Sequence, residues 1–364
     1  MSRRPTRFRP TADLASELTG PPGVLHSVLG EYAMIRGIWL ALALTVPLGG
    51  AAAAQSGDNE AHKPLGFDAA AIESARYEKG PLPEGQTALT AKLQILLDRA
   101  GISPAVVDGW KGGMTESALR AFERQAGLPV DGQLDRRVWS KLGGVTAKSL
   151  VQRYEIVDKD AANLSAPLPD DYAELAKLDR LGFVRVSERL AERFHMDEDF
   201  LVQLNPGASF EPGETIDVVD PGDRQKGKAS RIEISRSDRR LAAFDTGGKM
   251  LANYPVAVGS RQTPSPSGTH RVEAVALTPT YTYKPEENFK QGDNDEQLLL
   301  PPGANGPVGL VWIDLSKPTY GIHGTDDPSH LFKEFSHGCV RMTNWDSREL
   351  AGMVEHGTEV VFIE

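Results

Sequence analysis

The residue best suited to covalent chemistry is the chain's single cysteine, Cys339, and His323 precedes it by sixteen residues. A cysteine reacts as its thiolate, and a neighbouring imidazole can take the thiol proton and later return it to a leaving amine. Gly338, immediately before the cysteine, leaves room for an acyl group and permits a turn that aims backbone N–H groups at an oxyanion. The three residues predict an acyl-transfer site.

The residues around the cysteine support the same chemistry; the segment reads Ser336-His337-Gly338-Cys339-Val340-Arg341. The guanidinium of Arg341 could hold a carboxylate through two parallel hydrogen bonds. Three other interpretations exist: a small buried hydrophobic residue, a papain-like nucleophile, or a zinc ligand beside His323 and His337 with Asp326 or Asp327. The polar flanks disfavour the first, the order of histidine before cysteine disfavours the second, and the spacing matches no familiar zinc pattern.

The elements that must position these residues are mainly strands. Short β-rich runs separated by Gly, Pro, Ser and Thr lie at 231–235, 241–244, 254–258, 308–315, 320–323, 339–342 and 360–363, and one helix is clear at 345–355. The long polar loop at 281–297 carries Tyr281, Tyr283 and Phe289. We expect this loop to be a substrate lid over the site, with an ordinary surface insertion as the alternative.

Residues 229–364 resemble the catalytic domain of the L,D-transpeptidases, the YkuD family. The matching segments occur in order and span the domain: VG followed by TPSPSG, then PPGANGPVGLVW, YGIHGT, SHGCVRMTNWDS and GTEVVF. The resemblance implies a mainly β sandwich or barrel in which Cys339 is the nucleophile and His323 the proton donor and acceptor. It makes Ser336, His337, Gly338 and Arg341 the supporting and oxyanion loop, and it implies neither a metal nor another cofactor.

The N-terminus predicts export. Residues 38–48 (IWLALALTVPL) are uncharged and apolar, follow Arg36 and precede GGAAAAQ, which is typical of a secretory signal and too short to span a bilayer. We expect residues 1–54 to be removed after Ala54, with Met34 as an alternative start. Residues 55–85 are polar and predict a flexible tether. The net charge of −10 disfavours a nucleic-acid partner, and nothing later in the sequence is long enough to cross a membrane.

A compact helical unit is predicted at 86–145. Leucines at 89, 93, 96 and 97 mark one helix, Thr115 is placed to cap a second that stops at Gly127, and Asp135 is placed to cap a third. The segment resembles the three-helix peptidoglycan-binding domain of cell-wall enzymes. A spacer that binds nothing is the alternative, because a fold can persist after its binding function is lost.

Residues 146–225 predict a connector with two short helices, capped by Ser187 and Asp197, before a strand at 216–219. This α+β segment resembles a degenerate LysM module, a sugar-binding unit with two helices on a small sheet, although it lacks a clear opening strand. A structural linker and a glycan reader are both compatible with it.

Together the resemblances imply a periplasmic enzyme associated with the cell wall, whose partners are the stem peptides and glycan of peptidoglycan. They imply that the enzyme forms 3–3 crosslinks between meso-diaminopimelate residues. The sequence leaves the acceptor open: water, a free D-amino acid or a protein amine, as in anchoring of envelope proteins, could also capture the thioester. A non-catalytic wall-binding protein is the rival from another class.

Overall fold

The computed structural model describes residues 65–287, 289–333 and 335–364. The predicted signal segment and the first part of the predicted tether, residues 1–64, lie outside the described residues. Within that part of the chain, no helix is both long enough and apolar enough to cross a membrane.

The first helices are α1 (Ala69–Ser74), α2 (Ala88–Arg99), α3 (Gly113–Ala126) and α4 (Arg136–Lys141). Side-chain oxygens of Asp68, Thr87 and Asp135 accept backbone N–H groups at the starts of α1, α2 and α4. Gly127 ends α3 in the left-handed conformation, as predicted. The predicted cap Thr115 is wrong, because α3 begins two residues earlier after Gly112 and the buried Thr115 hydroxyl bonds the carbonyl of Trp110 instead.

The predicted tether is wrong where the structure describes it, at residues 65–85. Helix α1 lies in this segment, and its Ile72 is fully buried in the core of the helical unit. Lys92 of α2 donates to the backbone carbonyl of Glu73 at 2.7 Å, while the Glu73 carboxylate accepts the N–H of Val151 at 2.9 Å. Leu82 is buried in the same core, and Phe67 and Tyr77 pack against it, so a few apolar residues anchor this otherwise polar segment.

The connector contains β1 (Val151–Glu155), α5 (Asp158–Ala161), α6 (Tyr172–Leu175), α7 (Val186–Arg193), α8 (Glu198–Leu204) and β2 (Thr215–Val219). Strands β1 and β2 pair antiparallel, with Val151 opposite Val219. The opening strand that the sequence did not show is thus present. Asp197 caps α8 as predicted, whereas Ser187 lies inside α7, which begins after Arg185.

One hydrophobic core runs through both the helical unit and the connector. Ile95 and Leu119 of the helical unit belong to the same buried cluster as Leu190, Phe200 and Val218 of the connector. The boundary predicted at residue 145 therefore separates two sequence patterns that share a common core, not two independently packed bodies.

The C-terminal part is a mainly β structure, which confirms the predicted fold class. Its elements are β3 (Arg231–Ser235), β4 (Arg240–Phe244), β5 (Met250–Pro255), β6 (Gly268–Leu277), β7 (Tyr281–Tyr283), β8 (Leu298–Leu300), β9 (Val311–Leu315), β10 (Gly321–His323), β11 (Val340–Arg341), α9 (Asn344–Met353) and β12 (Glu359–Ile363). Eight strands form one sheet in the order β11-β10-β9-β6-β12-β3-β4-β5, and β7 pairs with β8 separately. Helix α9 begins at Asn344, one residue before its predicted start, because the Thr343 hydroxyl accepts the N–H of Asp346 and caps it.

We predict that Ile72→Ala lowers the free energy of unfolding by about 2–4 kcal/mol, because it leaves a cavity in the shared core. Urea unfolding followed by circular dichroism measures the change. Val145→Ala is the control, since Val145 is 66% exposed. Equal stability of the two variants would contradict the packing of residues 65–85.

Candidate active site

Strand register brings the predicted catalytic residues to one face of the sheet. Strand β10 runs parallel to β11, with Ile322 opposite Val340 and His323 opposite Arg341. Side chains alternate between faces along a strand. Ile322 and Val340 are buried against the core, so Cys339, Arg341 and His323 point to the other side.

The third strand of this face supplies an aromatic platform. Strand β9 runs antiparallel to β10 and places Trp312 opposite His323. The two rings stack with centroids 5.7 Å apart and an interplanar angle of 21°. Gly321 lies under the same indole, since an added Cβ there would come within 2.5 Å of the Trp312 ring. The absence of a side chain at 321 thus sets the position of Trp312, and Trp312 in turn sets the plane of the imidazole.

His323 is held in one tautomer. Its side chain is buried, and Nδ1 lies 2.7 Å from the carbonyl oxygen of Gly324. A carbonyl only accepts, so Nδ1 carries the proton and Nε2 keeps a free lone pair. Burial lowers the pKa of His323 to about 4; the Arg341 charge lowers it further, and the bond to Gly324 acts in the opposite direction. The imidazole is therefore a neutral base at neutral pH.

Cys339 is partly buried in the same cavity. Burial raises the pKa of its thiol, against the effect of a hydrogen bond from the Gly321 backbone. The Sγ–H group points to the carbonyl oxygen of Thr319 at 3.7 Å. The pair at rest is thus a neutral thiol and a neutral imidazole, and the thiol must lose its proton as it attacks.

The turn before the cysteine is fastened by Ser336. Its hydroxyl donates to the carbonyl of Cys339 and accepts the N–H of Gly338 at 3.1 Å. The Ser265 hydroxyl donates to the Gly338 carbonyl at 2.8 Å. The Gly338 N–H is thus already engaged by Ser336, and the predicted oxyanion role of the backbone N–H groups of this turn stays a prediction. Gly338 has φ +124°, and an added Cβ would lie 2.8 Å from the Tyr320 ring, so glycine is required here.

Arg341 and His337 frame the opening. A terminal nitrogen of Arg341 donates to the carbonyl of Phe335 at 3.1 Å, and the side chain also lines the cavity. The exposed imidazole of His337 stacks on Phe289 with centroids 4.3 Å apart and an interplanar angle of 11°. Burial and the charge of Arg341 lower the pKa of His337.

The residues predicted as a lid form an aromatic group beside the site, but they do not have the same role. Tyr281 and Phe289 line the cavity, whereas Tyr283 is fully buried and makes edge contacts with Phe289 and Tyr172. Tyr172, from the connector, meets all three rings. Sequence reasoning missed Tyr172, since nothing in its own helical segment signals contact with a loop so far along the chain.

The cavity itself has a volume of about 740 Å³ and walls from two parts of the chain. The catalytic sheet and its loops contribute Cys339, His323 and Arg341. The connector contributes the opposite wall, which includes Pro167–Asp170, Val184, Arg185 and Glu188. Within the described residues, no group of three His, Cys, Asp or Glu side chains is placed to hold a metal ion.

Comparison with known proteins fits this geometry. A family model described as the L,D-transpeptidase catalytic domain matches residues 229–362, and a peptidoglycan binding domain model matches residues 86–142. The chain is 33% identical over 177 residues to the L,D-transpeptidase YkuD of Bacillus licheniformis. The aligned region covers 48% of this chain and 90% of that protein. The chain belongs to the L,D-transpeptidase family.

A second relative extends the similarity. The chain is 27% identical over 219 residues to the L,D-transpeptidase YbiS of Escherichia coli, across 56% of this chain and 70% of that protein. The family resemblance of the sequence is thereby confirmed, and so is the enzyme class: this L,D-transpeptidase is a cysteine-dependent acyltransferase that acts on peptidoglycan.

We predict that Gly321→Ala slows acylation of the enzyme by at least about tenfold, because the new methyl group displaces Trp312 and with it His323. Rates of adduct formation with a carbapenem, followed by mass spectrometry, measure the loss. Gly352→Ala is the matched control, since a Cβ at Gly352 meets no atom within 4 Å. Equal rates in both variants would contradict the role assigned to the Trp312 platform.

Proposed function

We propose that this transpeptidase forms 3–3 crosslinks through a thioester on Cys339. The observation that carries the proposal is the common face of β10 and β11, which presents the thiol and the imidazole to one cavity. The thiol sulfur attacks the carbonyl of the L-centre of meso-diaminopimelate at position three of a tetrapeptide stem. The carbon–nitrogen bond to D-alanine then breaks.

The proton takes a defined route in this scheme. Nε2 of His323, with its free lone pair, accepts the proton from Sγ and gives it to the amine of the leaving D-alanine. The N–H of Gly338 is bound to Ser336, so we assign the N–H of Cys339 as the oxyanion donor of the turn. Arg341 lines the cavity, where its guanidinium is suited to a carboxylate of the donor stem.

In the second half-reaction, the side-chain amine of another diaminopimelate attacks the thioester carbonyl in its neutral form and the carbon–sulfur bond breaks. The proton lost by the amine passes to Nε2 of His323 and from there to Sγ, which restores the thiol. The carboxyl groups in the lining support an amine acceptor, because they outnumber the guanidinium groups of Arg185 and Arg341 and so attract a cationic amine to the cavity. The four carboxyl groups are Asp170, Glu188, Glu287 and Asp326. A protein amine would be attracted in the same way and is the second candidate, giving attachment of envelope proteins to peptidoglycan. Water and free D-amino acids remain outcomes of the product analysis.

We further propose that the enzyme is exported to the periplasm, with residues 1–54 as a cleaved signal peptide. The peptidoglycan-binding unit at 86–145 and the connector at 146–225 would then hold the catalytic domain at 229–364 on its polymeric substrate. The LysM-like character of the connector stays a prediction. It is supported by the antiparallel β1–β2 pair and by the helices α7 and α8 that precede β2, while two further helices, α5 and α6, also lie between the strands.

We predict that Cys339→Ala abolishes crosslinking of purified disaccharide-tetrapeptides, with mass spectrometry scoring 3–3 dimers, trimmed stems and protein adducts. A carbapenem should add one adduct mass to the wild type, at Cys339, and none to the variant, since the chain has no other thiol. Ser237→Ala, a hydroxyl deletion away from the cavity, serves as control. Dimers formed by Cys339→Ala at the wild-type rate would refute the thioester, and the absence of dimers and adducts with the wild type would favour the non-catalytic rival.

We predict that acylation is nearly independent of pH between about 6 and 8 and falls in acid with a midpoint near 4. The base is the neutral form of His323, whose pKa is about 4, so activity is lost only as the pH falls through that value. Arg341→Met should move the midpoint upward, because the arginine charge lowers the histidine pKa. The enzyme is exposed to each pH only briefly, so that it does not unfold in acid, and the adduct is then measured by mass spectrometry. A midpoint at 6.5 would contradict a buried base.

A further inference from the structure

A second cavity lies on the other side of the connector wall that closes the catalytic cavity. It has a volume of about 760 Å³. Gly182 and Phe183 line it, whereas the next two residues, Val184 and Arg185, line the catalytic cavity. The same alternation recurs in the β8–β9 loop, where residues 302–304 face the second cavity and Asn305 faces the first. The two cavities are back to back.

The second cavity is strongly basic. Six cationic side chains line it: Lys159, Arg180, Arg189, Arg193, Arg224 and Arg348. This concentration occurs in a chain whose net charge is −10. A cavity lined by one sign of charge focuses the field and attracts the opposite charge, so its ligand is expected to be anionic.

Three of these cations are not engaged by the protein itself. Arg189 donates to the carbonyls of Lys159, Asp160 and Ala162, and Arg193 pairs with Asp160 at 2.6 Å. In contrast, Lys159, Arg224 and Arg348 are exposed. Their charged groups form neither a hydrogen bond nor an ion pair with any residue that the structure describes.

The acidic lining residues do not neutralise this charge. They are Asp179 and Glu192. Burial raises the pKa of Glu192 to about 8, which keeps it largely protonated at neutral pH, and the amide of Asn344 donates to it at 2.8 Å. The cavity also has an aromatic side, since Arg189 lies over the ring of Phe183 and Trp345 stacks on His195. The lining therefore suits a ligand with carboxylates attached to an apolar or peptide body.

We propose that this basic cavity is an accessory subsite for the carboxylates of a second peptidoglycan stem peptide. The proposal rests on the proposed function, because peptidoglycan is the substrate whose stems carry several free carboxylates. Arg224 and Arg348 would hold them through charge-assisted hydrogen bonds. A stem bound here lies one wall away from the catalytic cavity, so the enzyme would bind a neighbouring stem of the same polymer while it acts on the first.

The test is isothermal titration of the Cys339→Ala protein with the tetrapeptide stem. We expect two binding sites per chain. The double variant Arg224→Ala/Arg348→Ala should lower the affinity of one of the two sites by at least tenfold and leave the affinity of the other unchanged. Lys249→Ala/Arg271→Ala, which removes the same charge from exposed positions outside both cavities and outside the wall-binding segments, should change neither. A stem whose carboxylates are all amidated should no longer bind the accessory subsite, and it should bind the catalytic cavity more weakly, because Arg341 also faces a carboxylate of the stem there.

Two measurements keep the result interpretable. With both arginines in place, the affinity of the accessory subsite for the stem should fall steeply as the salt concentration rises. This measurement does not depend on the folding of an arginine variant. Carbapenem acylation of Cys339 should proceed at the same rate in wild type and Arg224→Ala/Arg348→Ala, because neither arginine lines the catalytic cavity. Failure of acylation in both the wild type and the double variant would refute the proposed thioester without contradicting the accessory subsite. One site per chain, or binding unaffected by the arginine pair, would overturn the subsite.

Discussion

The parallel pairing of β10 with β11 is the constraint on which the site depends. Only two residue pairs define it, Ile322 with Val340 and His323 with Arg341. A shift of one residue would turn the thiol toward the core and a valine toward the cavity. The buried side chains of Ile322 and Val340 oppose such a shift, since apolar burial would be lost. Ser336 fastens the turn that feeds β11, so the nucleophile is positioned by backbone geometry before substrate arrives.

Burial determines how this pair reacts. The same removal from water raises the pKa of the thiol and lowers that of the imidazole, so both effects disfavour a resting ion pair. Such a nucleophile is unreactive in the absence of an acyl donor. A solitary neutral thiol is also poorly reactive toward oxidants, which is consistent with the absence of a second cysteine in the sequence.

The sequence predicted what local patterns encode. Alternating residues marked the strands, Asp135 and Gly127 marked helix ends, and the SHGC segment with His323 marked the chemistry, because the pairing of neighbouring strands brings these short motifs together. What it missed depends on distant packing. Strand β1 has no alternating pattern and exists through its pairing with β2. Helix α1 depends on the burial of Ile72, and Tyr172 reaches the catalytic loop only through the fold.

The connector wall has a further consequence for inhibition. The nucleophile and the base belong to the catalytic sheet and its loops, whereas Arg185 and Glu188 line the same cavity from the connector. A compound that combines a thiol-reactive group with an arm fitted to Arg185 and Glu188 would gain its potency from the shared chemistry and its selectivity from the neighbouring segment.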